Sequence, residues 1–144
     1  MIKDNFLYHS YCELAITSNE VEPNTITEEL NVKPGRSFNK GDQSVSKHSG
    51  SIITKPHNLW ALKSPSLKTE EESIESHINF LMMTFQLKID VLKKYKNDSR
   101  FEVTVWIWLQ TDNSGIGLDI GEKHLNFLNT IANRIHFSFL TNGS

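Results

Sequence analysis

Cysteine is almost missing from this chain of 144 residues, with Cys12 the only one. No intrachain disulfide can form, and no cysteine cluster can complete a zinc site. A lone thiol without an export signal favours a reducing cytoplasm. The opening residues 1–9 hold no apolar stretch of signal-peptide length, and no run approaches the ~18 apolar residues of a membrane helix. Glycine (7) and proline (4) are too few for a collagen-like or low-complexity chain. Neither sign of charge predominates: 15 basic residues stand against 17 acidic ones, net −2 with histidine neutral. That balance argues against a general nucleic-acid coat or a polybasic membrane binder. What remains is an ordinary soluble composition, 38% hydrophobic and 22% charged, in a length that makes one domain, residues 1–144.

Catalytic signatures are missing as well. There is no Gly-x-Ser-x-Gly elbow and no Gly-Lys-Ser/Thr phosphate loop. Gly115-Ile-Gly117 lacks the third glycine and the βαβ context of a dinucleotide fingerprint. The six histidines, at 9, 48, 57, 77, 124 and 136, never recur at helical i, i+4 or strand i, i+2 spacing, so no metal and no cofactor is expected. Cys12 falls in a strand-like run and reads as a small buried apolar residue rather than a nucleophile. Glu70, Glu71 and Glu72 read as solvated charges in the first turn of a helix.

Hydrophobic periodicity supplies the elements. Residues 11–17 alternate, with Cys12, Leu14 and Ile16 on one face and Tyr11, Glu13, Ala15 and Thr17 on the other. Pro23 opens a short helix through Leu30, docked by Ile26 and Leu30. A short extended piece around Phe38 follows, then a polar, Ser-rich mobile loop over 43–58 and a short strand over 59–63 carrying Trp60. Thr69 with Glu72 fits a capping box, and Ile74, Ile78, Leu81, Phe85, Ile89 and Leu92 form one apolar stripe. This predicts a single long helix of about 40 Å. Residues 100–110 form the best strand, with Trp106 and Trp108 on the face opposite Val103, Val105 and Ile107. A turn-rich loop over 113–117 comes next. A further helix, capped by Asp119 with Glu122 and striped by Leu125, Leu128 and Ile131, precedes a final strand. That strand has Ile135, Phe137 and Phe139 opposite His136 and Ser138. The order predicts an α+β two-layer sandwich: a mixed or antiparallel sheet with helices packed on one face.

Two features stand out against this background. Charge is segregated: residues 1–32 carry net −5 and residues 33–68 net +6. Lys33, Arg36, Lys40 and Lys47 are therefore a candidate anion site, against the alternative of a solvated basic loop. The second feature is the sheet face away from the helices. The strand phases send Tyr11, Glu13, Trp106, Trp108, His136 and Ser138 there. Tryptophan joins a large apolar body to an N–H donor, which suits recognition. This face is either a recognition surface or covered by the 43–58 loop or a second copy of the chain.

The order of landmarks resembles a bacterial family known as domain of unknown function 4279. The residues that carry the likeness are Val21-Glu-Pro-Asn-Thr-Ile-Thr-Glu-Glu-Leu, Pro34, Phe38-Asn-Lys-Gly-Asp42 and Asn58-Leu-Trp-Ala-Leu62. They are followed by the long helix, the aromatic strand, and the final helix and strand. Phe38 stands where tryptophan is usual in the family. The resemblance implies a compact α+β domain and brings no catalytic residues. Its motif residues Lys40, Asp42 and Trp60 join the candidate binding set.

The expected function is that of a non-enzymatic cytoplasmic binding protein. By analogy with small bacterial proteins of this size, it would be an immunity protein that neutralises a toxin by direct contact. The alternative is a small-molecule sensor that uses the aromatic sheet face. The expected partner is a protein; nucleic acid and membrane are disfavoured, and a homodimer is left open.

Overall fold

The computed structural model describes residues 7–65, 73–111 and 118–141. Its main sheet has five strands in the order β2-β5-β1-β6-β7. These are β1 (Leu7–Ser18), β2 (Arg36–Phe38), β5 (Asn58–Lys63), β6 (Phe101–Thr111) and β7 (Arg134–Thr141). Neighbours run antiparallel except β6 and β7, which are parallel and joined through a helix. A separate two-stranded ribbon is made by β3 (Gln43–Val45) and β4 (Ile52–Thr54). Four helices complete the described residues: α1 (Pro23–Leu30), α2 (Ile74–Thr84), α3 (Ile89–Asn97) and α4 (Glu122–Ile131).

Strand alternation builds the core. Opposite partners such as Ile16 with Trp60 and Val103, or Cys12 with Ile107, align the apolar sides of β5, β1 and β6 on one face. Ile26 and Leu30 of α1, Ile74, Ile78 and Leu81 of α2, Leu92 and Tyr95 of α3, and Phe127, Leu128 and Ile131 of α4 close over that face. The helices thus form one layer and the sheet the other, as the pattern predicted. No helix among the described residues is long and apolar enough to cross a membrane.

Sequence and structure part in three places. The long helix is two: Phe85 leaves helical geometry, and Leu87 is 89% exposed at the break. The stripe residues on both sides still reach the core, so periodicity alone cannot reveal the turn. The break lets α2 pack on β1 while α3 packs on β6 and α4. Ser73 caps α2 by accepting from Ser76 N; the expected cap at Thr69 and the loop at 113–117 lie outside the described residues. Second, α4 is not capped by Asp119. Its N-cap is Gly121, whose N–H donates to Glu75 Oε2 at 2.7 Å. Phe127 rather than Leu125 joins the core; Leu125 is exposed. Third, the 43–58 segment contains the β3–β4 ribbon where a loop was expected. Gly41 and Gly50, both at positive φ, turn the chain into and across it. Its strands are three residues each, too short for alternation to register.

Candidate functional site: the open face of the sheet

The face of the sheet away from the helices carries a second, small cluster: Ala15, Leu59 and Ala61 are buried beneath Phe38 and Trp106. Alanine is the deciding residue type here. Arg36 on β2 lies opposite Ala61 on β5, which lies opposite Ala15 on β1. With only methyl groups in that row, the Arg36 side chain passes over β5 and reaches Glu13. It donates from Nη2 to Oε1 at 2.7 Å and from Nε to Oε2 at 3.0 Å. The Glu13 side chain is 7% exposed and that of Arg36 58%. The carboxylate is therefore the buried partner, and the two-pronged bond replaces its water. The bond to Glu13 also raises the Arg36 pKa. Burial first, and the Glu13 charge second, push the Tyr11 phenol up.

Register assembles the aromatic residues. Tyr11 stands opposite Trp108, Glu13 opposite Trp106, and Trp106 beside His136 of β7. Ring centroids of Tyr11 and Trp108 are 5.7 Å apart, those of Trp106 and Trp108 also 5.7 Å at 14° between planes, and those of Trp106 and His136 4.1 Å. Lys63 Nζ caps the Tyr11 end at 4.7 Å. The rings therefore lean on one another's faces in a continuous row, half-buried, with exposed His136 at its outer end. Trp108 Nε1 is buried and has no hydrogen-bond partner among the described residues.

Two depressions flank Arg36. One, of about 460 Å³, is bordered by Phe38, His57, Trp106, Arg134 and His136 over a floor of Ala15 and Thr104. The other, of about 440 Å³, lies between Tyr11, Glu13, Gly35, Lys63 and Trp108. No residue of the β3–β4 ribbon lines either one. The ribbon base meets the face at its margin, where Lys55 Nζ sits 4.7 Å over Phe38 and His57 lies 5.9 Å from the same ring.

Of the sequence candidates, Tyr11, Glu13, Trp106, Trp108, His136 and Arg36 are brought together on this face. Trp60 is not: it points to the helices, is 0% exposed, and donates Nε1–H to Thr27 Oγ1. Its neighbour in phase is Ile16, so the same alternation that exposes Trp106 buries Trp60. Asp42 is a turn residue whose Oδ2 accepts from Asn39 N, and the Lys40 N–H is held by Asn58 Oδ1. Lys33 follows α1, Lys40 follows β2 and Lys47 sits in the ribbon turn, while Arg36 is engaged by Glu13. The cations that border the depressions are instead Arg36, Lys63 and Arg134. The strand phases already place Thr104 on the face of Trp106 and Trp108, though not among the candidate binding residues. Sequence reasoning missed Phe38, His57, Lys63 and Arg134 on this face; for Arg134 the signal was present, since it continues the Ser138, His136 alternation, and for the others it depends on strand order.

Among the described residues no three His, Cys, Asp or Glu side chains group as a metal site. A Ser–His contact with catalytic appearance, Ser64 Oγ to His77 Nδ1 at 2.7 Å, lies in the core with both residues at most 1% exposed. Ser64 Oγ also accepts from Cys12 N, and Ser64 N donates to Cys12 O, so this contact ties β5 to β1.

No curated protein and no solved structure matches the chain. A family described as domain of unknown function (DUF4279) matches residues 7–142. That span takes in every element from β1 to β7, and the chain therefore belongs to the DUF4279 family.

Proposed function

We propose that the protein is a non-enzymatic binding protein that docks a protein partner on its open sheet face. In this reading it is a cytoplasmic immunity protein and the partner is a bacterial toxin neutralised by direct contact. The observation that carries the docking reading is the row Tyr11–Trp108–Trp106–His136, which the β3–β4 ribbon does not cover, beside the ion pair of buried Glu13 with exposed Arg36. Interface hot spots are aromatic and arginine side chains set in a partly desolvated surround. Because each ring already leans on its neighbour, the row offers a broad, firm surface rather than a free ring face. The surrounding cations favour a partner with an acidic surface and speed its encounter.

The test is co-expression with the product of the adjacent upstream gene, read by co-purification and by rescue of growth. Trp106→Ala with Trp108→Ala is expected to weaken the complex by at least ~30-fold, the scale of one hot spot of about 2 kcal/mol. A neighbour that is harmless, or that binds the double variant as well as the wild type, sinks this reading.

A second reading, a small-molecule sensor, draws on the depressions of about 460 and 440 Å³ on either side of Arg36. Volumes of this size suit a small ligand. The mutual stacking of the rings weighs against it, since a ring-shaped ligand needs an unoccupied aromatic face. Tryptophan fluorescence across a panel of nucleotides and sugars separates the two readings. Quenching by one class would favour the sensor.

A further inference from the structure

The two edges of the main sheet are unlike. Edge strand β2 is three residues long and follows Pro34-Gly35, the short, interrupted form that resists pairing with another chain. Edge strand β7 runs eight residues, Arg-Ile-His-Phe-Ser-Phe-Leu-Thr, with no proline, glycine, lysine or acid to blunt it. It pairs on one side with β6, and among the described residues no strand pairs with its other side, which ends the sheet. Phe137 is 41% exposed, Phe139 54% and Leu140 59%. Phe137 and Phe139 stack on each other at 6.5 Å, on the helix side of the sheet beyond the partly buried Ile135.

We propose that β7 pairs antiparallel with β7 of a second copy, so that two five-stranded sheets become one continuous sheet in a two-fold dimer. A strand edge demands a strand as its occupant, and the pattern of β7 matches its own reverse. With the two-fold axis at Phe137, Ile135 faces the partner's Phe139, Phe137 faces the partner's Phe137, and His136 faces the partner's Ser138. Arg134, the only formal charge in the strand, faces the partner's Leu140. The two Arg134 residues then stand six residues apart along the strands, about 20 Å, well beyond the ~8 Å screening length. A slip of one residue would turn the phenylalanines to the wrong face. At about 200 Å² per large side chain, the exposed parts of Phe137, Phe139 and Leu140 amount to roughly 300 Å² per copy. Two copies thus supply over half of the ~1,000 Å² that marks a specific interface. The pairing sets the open faces of both copies side by side and brings the partner's Ser138 next to His136. It does not depend on what the open face binds.

Sedimentation equilibrium of the untagged full chain tests this. The expected mass is twice 16.5 kDa at micromolar concentrations and above. Phe139→Lys, at an exposed position, should raise the dissociation constant at least ~30-fold with an unchanged circular-dichroism spectrum. Phe137→Cys should link to its own copy through a short bismaleimide, and Arg134→Cys should not. A wild-type monomer, a dimer indifferent to Phe139→Lys, self-linking at 134 instead of 137, or a foreign chain in place of the second copy would each overturn the proposal.

Discussion

Alanine at position 61 is what lets two charges 23 residues apart in the chain meet. Any larger side chain there would stand between Arg36 and Glu13. The asymmetry of their burial decides the energetics. Removing Arg36 leaves Glu13, 5% exposed, without its charged donor. Arg36→Ala is therefore expected to destabilise the fold by about 1.5–3 kcal/mol, the range for hydrogen bonds to a charged group. Adding Glu13→Gln should recover part of that, because an amide is less costly to bury than a carboxylate. Urea unfolding of the single and double variants checks this, and additive losses would mean the pair is not coupled. Cys12 behaves in the opposite way. Burial pushes its thiol up to about 12, so the neutral form is favoured in the folded state. This stabilisation is fully present below the unfolded value near 8.5 and is lost as pH rises from there towards 12. At pH 8 a maleimide should label Cys12 only at the rate of chain opening, and much faster in urea. Rapid labelling of the native protein would contradict the burial.

At the scale of elements, the helices show where local signals end. α1 was legible to the residue, because Pro23 starts it and Asn31, at φ 55°, closes it within the chain's own sequence. α4 was legible in place but not in its cap. The group that satisfies its first N–H belongs to α2, where Glu75 Oε2 accepts from Gly121 N and also lies 3.2 Å from His124 Nδ1. His124 Nε2 then meets Asn79 Oδ1 at 2.8 Å, clamping the two helices together. Glu75→Ala should cost about 1 kcal/mol, as for loss of a side-chain N-cap. That corresponds to a melting point lower by roughly 3 °C for a domain of this size. Asp119→Ala, by the same measurement, should be near neutral, and the reverse order would restore the expected cap. The break between α2 and α3 left no trace in the sequence because a stripe at 3.6-residue spacing continues through Phe85 and Ile89 on either side of the turn.

For the whole molecule, the linear segregation of charge becomes a spatial one. Residues 33–63 build β2, the ribbon and β5, which lie together at one edge of the sheet. Within them Lys33, Arg36, Lys40, Lys47, Lys55 and Lys63 stand against Asp42 alone. The basic side of the molecule and the aromatic row thus border one another across β5 and β1, although they are distant in sequence. The sequence by itself determined the alternation of β1 and β6, the faces of Trp106 and Trp108, and the layering of helices on one side. All of these follow from the fixed periods of strand and helix. Only the tertiary structure decided that Trp60 belongs to the core, that Arg36 answers Glu13, and that His136 closes the aromatic row. Each of these depends on which strands become neighbours, and strand order is set by long-range packing that no local period encodes.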